Sequence, residues 1–398
     1  MRIDYLVGGL RISLGADSKT PGPANHIENS ISAFRALGHD VAIYMSSDQP
    51  ALQRFASVAE GAHNRASASP IVTDLVRLGA STLNLARVAV WSARSDAELV
   101  YERAAVMTNL SAFHGRVVSS RAIQIIESNG IFSRETARDR HALKAESLAR
   151  RIERNLYRKA DLVVAVSESL AAELCTYAAI PVERILVVPN GVPPGIRGSL
   201  KSGARRNVIG FAGAVVEWQN LAALIRAFAR VRSFVPVSGE GHWQVHIVGD
   251  GPALIELQGT AKAMGVTDCV HFFPRMSRSS LYETMTAWRV GIALHKPSSS
   301  ATMYHSPLKL YEYAGLGLSC LATDSPDAVG LRRSGAAITT VPPTEDGIAD
   351  GLLRVLQMPL CDEYEIQKRG EAVLSSHNWE SRMESVMARV RELRAGQC

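Results

Sequence analysis

The segment SPLKLYE at 306–312 places a cation and a carboxylate three residues apart. Ser is a common N-cap and Pro a common first helical residue, so a helix is predicted to begin at Ser306-Pro307. The free amides and the dipole of a helix start attract anions, and Lys309 would add positive charge one turn in. Glu312 lies on the same face and could accept two ribose hydroxyls. The pattern suits a nucleoside diphosphate, although a capped core helix with a surface Lys–Glu pair explains it equally well.

Three other loops follow apolar runs and contain glycine, which lets a backbone come close to a phosphate. They are VGDGP at 248–252, GFAGAVVEWQN at 210–220, and the stretch 6–26, in which Gly22 stands beside a helix start. The first is more typical of an ordinary tight turn, and the second lacks the spacing of dinucleotide-binding loops. A phosphate contact and a glycine loop without a ligand are equally compatible with the third.

Short apolar runs alternate with helix-length segments along the chain. This alternation predicts parallel strands covered by helices on both faces, which is an α/β doubly wound design. One helix is predicted at 25–37 and ends before Gly38. Another is predicted at 220–233 and begins at Asn220, which can serve as its N-cap. The predicted strands are Val41–Met45, Ala122–Glu127, Leu162–Ser167, Ile185–Val188, Val208–Ala212, Gln244–Val248, Cys269–Phe273, Val290–Leu294 and Leu318–Thr323.

A linker is predicted at 191–206, because the surrounding stretch is dense in Pro, Gly, Ser and basic residues. It divides the chain into a Rossmann-like domain at 1–190 and a second one at 207–377. Ligands of such sheets bind at the carboxyl ends of the strands, where the glycine loops and Lys309 would lie.

Composition excludes several classes of protein. The chain has 398 residues, 46% hydrophobic and 21% charged, with no apolar window long enough for a membrane span and no signal-peptide pattern. Its five cysteines lack metal-ligand spacing, which predicts free thiols in the reducing cytoplasm. The net charge of +6 permits an anionic ligand, a membrane surface or nucleic acid, but no nucleic-acid motif is present. The basic stretch 134–159 is better explained as a solvated helix face than as a membrane or partner surface.

Five short motifs occur in a fixed order along the chain, and as a set they are specific to one protein family. They are GHDV (38–41), VVAVS (163–167), VVPNGV (187–192), VGDGP (248–252) and SPLKLYEYAGLG (306–317). Together they resemble the retaining GT-B glycosyltransferases of the family-four type, a group that includes sucrose-phosphate and mannosyl transferases. The resemblance covers nearly the whole chain. It implies two facing Rossmann-like domains with an interdomain cleft, a sugar-nucleotide donor held mainly by the C-terminal domain, and a C-terminal helix, here 378–398, that crosses back to the N-terminal domain.

The resemblance also implies roles for individual residues. Glu312 would bind the donor ribose, Gly22 would approach the distal phosphate, and the backbone at Arg275-Met276 would read the edge of the base. The other positions implied for the donor are Tyr304, His305, Ser306, Leu308, Gly213, Gln219 and Gly249.

Two departures from the family pattern affect the donor site. Tyr304 stands where many relatives carry a carboxylate that touches the donor sugar. Ala214 and Gln219 stand where many carry an Arg and a Lys on the diphosphate. Lys309 and the helix start would have to compensate, together with one of the other cations Arg11, Lys19 and Lys296.

Catalytic residues are predicted at Lys309, which would stabilise the leaving diphosphate, and at Glu127 in IQIIESNG. Glu127 could orient or deprotonate an acceptor if burial raised its pKa, but a plain strand-end carboxylate is an equal alternative. His26, Asn129 and Glu102 are the predicted acceptor contacts, with a surface histidine and a salt bridge as the commoner explanations of His26 and Glu102.

The predicted activity is transfer of a hexose, with retained configuration, from a UDP- or GDP-sugar to a small polar acceptor, in specialised metabolism. No metal or other cofactor is expected, and a homodimer is compatible with the sequence. The alternatives are transfer to a lipid or polysaccharide acceptor at a membrane, and a nucleotide-sugar-binding partner without activity.

Overall fold

The computed structural model describes residues 1–10, 12–15, 18, 20–47, 70–112, 122–138, 143–199, 207–234, 242–296, 306–359 and 361–396. The chain forms two compact units. The first contains Met1–Pro189 and Glu380–Cys398, and the second contains Asn190–Trp379.

The first unit contains a parallel sheet with the strand order β2-β1-β3-β4-β5-β6. Its strands are β1 Arg2–Val7, β2 Asp40–Met45, β3 Leu99–Arg103, β4 Ile123–Ser128, β5 Leu162–Ala165 and β6 Ile185–Val187. Its helices include α1 Pro21–Ala36, α2 Pro70–Ser92, α3 Phe132–Arg138, α4 Glu146–Lys159 and α5 Glu168–Ala178.

The second unit contains a parallel sheet with the order β12-β11-β10-β7-β8-β9. Its strands are β7 Val208–Ala212, β8 Gln244–Val248, β9 Val270–Phe273, β10 Val290–Ala293, β11 Ser319–Thr323 and β12 Ile338–Val341. Its helices include α6 Leu221–Val231, α7 Leu254–Ala263, α8 Arg278–Thr286, α9 Leu308–Gly315, α10 Pro326–Arg333, α11 Glu345–Gln357 and α12 Glu363–Ser376. The order reverses between β7 and β10, so a ligand crevice is expected beyond their carboxyl ends.

The last helix, α13 Trp379–Ala395, returns the chain to the first unit. The Arg394 guanidinium lies 3.1 Å from the Glu98 carboxylate, and the Arg389 guanidinium donates to the Glu183 carbonyl at 2.8 Å. Met387 and Val390 are buried. The described part of the predicted linker carries a short 3₁₀ helix at Pro194–Ser199 and belongs to the second unit.

The sequence-based prediction of two α/β domains with parallel sheets is confirmed, and each of the nine predicted apolar runs contains a strand. β1, β3 and β12 were not predicted, because their charged or hydroxyl side chains interrupt the apolar pattern. The strands of the second sheet are buried from both faces by two apolar clusters, one around Phe211 and Phe228 and the other around Trp288 and Tyr313. No helix in the described part of the chain is long and apolar enough to cross a bilayer.

Two predicted helix starts were wrong. α1 begins at Pro21 and not at Asn25. α9 begins at Leu308, with Pro307 as its N-cap in extended conformation and no side-chain cap. The Ser306 hydroxyl accepts instead from the Asn190 amide at 3.0 Å, and the Ser306 carbonyl accepts from the Asn190 side chain. Ser306 therefore ties the segment before α9 to the start of the unit.

Candidate functional site

Two glycine loops meet at the carboxyl edge of the second sheet. Gly213 follows β7 with φ +145°, and Gly249 follows β8 with φ +144°. The Gly213 amide donates to the Val248 carbonyl at 3.0 Å, and a Cβ on Gly249 would clash with the Gly213 carbonyl oxygen. Glycine is favoured at both positions by the positive φ, and at Gly249 it is also required because the Gly213 backbone packs directly on it.

Lys309, in the first turn of α9, reaches this same edge. Its Nζ donates to the Gln219 side-chain oxygen at 2.6 Å and lies 4.1 Å from the centre of the Phe211 ring. A Cβ on Gly213 would lie 3.4 Å from that Nζ. Burial lowers the pKa of Lys309 to about 7, against the opposing charge of Glu312. The structure thus brings Gly213, Gln219 and Lys309 together.

Glu312 lies one turn further along α9 and is 9% exposed. The Tyr282 hydroxyl of α8 donates to its carboxylate at 3.2 Å. Burial raises the pKa of Glu312 to about 7, although the Tyr282 hydrogen bond and the charges of Arg278 and Lys309 oppose the rise. A buried carboxylate beside a cation can accept hydroxyls, and both groups titrate near neutrality.

The segments after β7 and β10 are tied to each other beside this cluster. The Trp218 and His295 rings stack with centres 5.5 Å apart, and the Lys296 amide donates to the Trp218 carbonyl at 2.8 Å. The Lys296 ammonium pairs with the Glu217 carboxylate at 3.0 Å. Lys296 is therefore a cation already held by an acid.

The remaining donor predictions have different surroundings. Leu308 is the first residue of α9, and Ser306 is bound to Asn190 as described above. Arg275 is exposed after the edge strand β9, whereas Met276 packs on the apolar cluster around Trp288. Tyr304 and His305 lie outside the described residues, as do Arg11 and Lys19.

A second polar cluster lies in the first unit, around Glu127 near the carboxyl end of β4. The Glu127 carboxylate contacts the His26 imidazole of α1 and accepts from the Asn129 amide at 2.6 Å. The Tyr5 hydroxyl lies 3.4 Å from its second oxygen. Glu127 is therefore in direct contact with two other predicted residues, His26 and Asn129. The expectation of a surface His26 was wrong, because its side chain is only 7% exposed.

The condition for Glu127 to act as a base, a raised pKa, is not met. Burial alone would raise it, but the charges of His26 and Arg103 and the hydrogen bonds from His26 and Asn129 outweigh burial and lower the pKa to about 2. A carboxylate with so low a pKa is a weak proton acceptor at neutral pH. Its role here is to orient the His26 ring through their direct contact.

Two further predicted residues, Glu102 and Gly22, lie in β3 and α1 of the first unit. The buried Glu102 carboxylate accepts from the Leu110 and Ser111 amides at 2.9 and 2.8 Å, so it caps the 3₁₀ helix Leu110–Ala112. Gly22 lies in the first turn of α1, and an added Cβ would meet no atom of the described residues within 4 Å. Local packing therefore does not require glycine at 22.

Sequence reasoning missed Tyr282 and His295. Tyr282 comes from α8, which carries no recognisable motif. His295 directly follows the apolar run of β10, and an aromatic ring just after a predicted strand could have indicated a site residue.

Among the residues that the structure describes, no group of three or more His, Cys, Asp or Glu side chains could hold a metal ion.

Comparison with known families decides the identity of the chain. Residues 21–195 match the model described as glycosyltransferase family 4, and residues 206–358 match the model described as glycosyl transferases group 1. The chain is a glycosyltransferase of the family-4 type. The predicted family is thus confirmed.

Solved structures of other glycosyltransferases share the GT-B fold of this enzyme. Sucrose-phosphate synthase from Thermosynechococcus elongatus is 16% identical with a TM-score of 0.66, and 100% of each chain is covered. HepE from Anabaena, in complex with UDP and glucose, is 16% identical with a TM-score of 0.60, and 98% of this chain and 100% of that chain are covered. A glycosyltransferase from Rickettsia africae is 13% identical with a TM-score of 0.67, and 98% of each chain is covered. No curated protein matches the sequence of this glycosyltransferase.

Proposed function

We propose that this glycosyltransferase transfers a hexose from a nucleoside diphosphate sugar to a hydroxyl acceptor with retention of anomeric configuration. The observation that carries the proposal is the contact of Lys309 with Gln219 beside Gly213, with Glu312 one turn away in α9. A cation, a close backbone and a buried carboxylate are the groups that a diphosphate and a ribose require. UDP is the first candidate for the nucleotide of the donor, because HepE was solved with UDP and glucose. GDP is the second candidate.

Lys309 would bind the diphosphate and stabilise the charge that develops on it as the glycosidic bond breaks. The free protein holds the Lys309 pKa at about 7, and a nearby diphosphate anion would raise it and keep the ammonium charged. Gln219 occupies a position at which many relatives carry a lysine. Its carbonyl oxygen aims Lys309 at the Gly213 loop, so one well-placed cation would serve where those relatives use more.

Glu312 would accept the ribose hydroxyls in its ionised form. Those hydroxyls are donors, and hydrogen bonds to the charged form would lower its pKa from about 7. Lys309 and Glu312 would therefore both be charged in the donor complex. No metal or other cofactor takes part in the proposed reaction.

In the first unit, His26 would position the acceptor, and Glu127 would hold the His26 ring in place. Glu127 stays ionised at neutral pH because its pKa is about 2, so it is a positioning residue and not the base. In a retaining transfer without a protein nucleophile, an oxygen of the departing diphosphate would take the acceptor proton. We propose a small polar acceptor, as the sequence predicts, used in specialised metabolism.

An acceptor carried by a membrane is a second candidate. The solvent-facing side of α2 favours it, because Ile71, Leu75 and Val90 are exposed there and the single acid of this helix, Asp74, is buried.

A thermal-shift panel of UDP, GDP, TDP and ADP tests the donor site. A nucleotide at 100 times its Kd adds about 2.7 kcal/mol to the free energy of unfolding. We expect one of them to raise Tm, and we expect Glu312→Ala to lose most of that shift. An unchanged shift in Glu312→Ala would refute the donor site, and tight binding without hydrolysis or transfer would favour a binding partner without activity.

A further inference from the structure

Helix α2, Pro70–Ser92, is inverted relative to an ordinary surface helix. Its buried side carries mostly polar side chains besides Ala80 and Val88, and several large aliphatic side chains point to solvent. The buried polar residues are Thr73, Asp74, Arg77, Ser81, Asn84 and Ser92, and the exposed aliphatic ones are Ile71, Val72, Leu75, Leu83 and Val90, which are 43–64% exposed. An amphipathic helix normally buries its apolar side, so the exposed one requires a cover.

Specific hydrogen bonds fix this orientation of α2. The Asp74 carboxylate pairs with the Arg77 guanidinium at 3.1 Å and accepts from the Lys144 and Ala145 amides at the start of α4, at 2.8 and 2.7 Å. Near the other end, the Tyr44 hydroxyl of β2 donates to the Asn84 side-chain oxygen at 3.0 Å. Rotating the helix to bury its aliphatic residues would break the bonds that Asp74 and Asn84 make to the start of α4 and to β2, so the orientation of α2 is fixed by the fold.

Exposed arginines accompany the exposed aliphatic residues. Arg87 and Arg94, near the C-terminal end of α2, have no carboxylate within ion-pair distance among the described residues. They line a cavity of about 610 Å³ together with Arg2, Val90 and Trp91. At the N-terminal end, the neighbouring helix α4 exposes further cations and an aliphatic residue, namely Lys144, Leu148, Arg150 and Arg151.

We propose that the exposed side of α2, with Arg87 and Arg94, is a docking surface for an anionic lipid bilayer. Aliphatic side chains on one side of a helix enter the boundary between head groups and acyl chains, while arginines bind the lipid phosphates. A second copy of the chain fits this surface poorly, because a twofold contact brings the same patch from both copies together and so supplies no net negative charge for Arg87 and Arg94. An anionic bilayer supplies both the apolar layer and the opposite charge.

Flotation of the full-length protein with vesicles of phosphatidylcholine, with or without phosphatidylglycerol, tests the proposal. We expect binding to the anionic vesicles only, and a large loss of binding in 0.5 M salt. Leu75→Ser should lower the partition coefficient about tenfold and Arg87→Glu at least about fivefold, since each removes one apolar or one cationic contact. Ile255→Ser and Arg333→Glu are matched controls at exposed positions of α7 and α10, and both should bind like wild type.

Three results would overturn the proposal. The first is absence of wild-type binding to anionic vesicles. The second is equal binding by Leu75→Ser and Ile255→Ser. The third is a wild-type dimer in solution that Leu75→Ser makes monomeric, which would assign this side to a second copy.

The donor site is tested separately in the same variants. Leu75→Ser and Arg87→Glu should keep the nucleotide-induced rise in Tm, whereas Glu312→Ala should lose it and still bind vesicles. Failure of the bilayer proposal would change vesicle binding, and failure of the donor site would change the nucleotide-induced rise in Tm, so the two failures can be told apart.

Discussion

Lys309 and Glu312 illustrate how a site can hold two opposite charges in a buried place. Each is desolvated, and each has a pKa of about 7 in the free protein, although their ordinary values lie six units apart. A ligand with an anionic diphosphate and donor hydroxyls would favour the charged form of both. Donor affinity should therefore report the protonation state of these two side chains.

The first prediction is a bell-shaped dependence of donor affinity on pH, with its maximum near 7. Above pH 7 Lys309 loses its proton, and below pH 7 Glu312 gains one, so affinity should fall about tenfold on each side. Calorimetric titration between pH 5.5 and 9 measures it, with the intact nucleotide sugar because its diphosphate does not titrate in that range. Lys309→Met should lose the alkaline limb and Glu312→Gln the acid limb. A flat profile in the wild type contradicts the assignment.

Glu127 has the opposite character, because its partners keep it ionised. Its pKa is 4.5 in the unfolded chain and about 2 in the folded one, so its contribution to stability is complete above pH 4.5 and is lost as pH falls toward 2. That contribution comes from the cluster with His26 and Asn129.

The second prediction concerns Glu127→Gln. At pH 7 the variant should lose up to about 3 kcal/mol of the free energy of unfolding, and the difference from wild type should shrink as pH is lowered from 4.5 to 3. Urea unfolding at several pH values measures it. Glu256→Gln, at an exposed site of α7, is the control and should match wild type throughout. A difference that does not change with pH would mean that the charge of Glu127 is not its cause.

At the scale of elements, hydrophobic patterning predicted most strands because helices cover both faces of each sheet. The pattern failed where buried polar groups are satisfied locally. In β3, Glu102 caps a 3₁₀ helix, and in β1, the Asp4 carboxylate accepts from the Ser95 hydroxyl at 2.5 Å. The inverted helix α2 goes against the pattern itself, since periodicity alone would bury Leu75 and expose Asn84.

The third prediction uses two glycines in helices of the first unit. At Gly22 in α1 and Gly79 in α2, a Cβ would meet no atom within 4 Å in the part of the chain that the structure describes. Alanine at either position should raise the free energy of unfolding by about 0.4–1 kcal/mol, because it restricts the unfolded chain. Only Gly22→Ala should lower transfer activity, by at least about tenfold, since the family resemblance implies that a donor phosphate approaches the backbone there. Equal activity of the two variants would remove Gly22 from the site.

At the scale of the whole molecule, the order of short motifs indicated the fold and the family, but it did not reveal which side chains meet. Lys309 and Glu312 were predictable because one helical turn separates them. The contacts of His26 with Glu127 and of Gln219 with Lys309 join residues that are far apart in the chain, and no local pattern encodes them. Whether burial raises the pKa of Glu127 could not be predicted for the same reason, because its charged partners are distant in sequence.

The last prediction concerns α13, through which the C-terminus completes the first unit. Met387 is 1% exposed, and Met387→Ala should cost about 2–5 kcal/mol of the free energy of unfolding. Because residues from Glu380 onward belong to the first unit, amide hydrogen exchange should quicken in β1–β6 and stay unchanged in β7–β12. The protection that a nucleotide gives to α9 should survive, since that helix lies in the second unit. Leu374→Ala in α12 should reverse the pattern, because that side chain packs in the second unit. Faster exchange in β7–β12 of Met387→Ala would show that α13 stabilises the other unit instead.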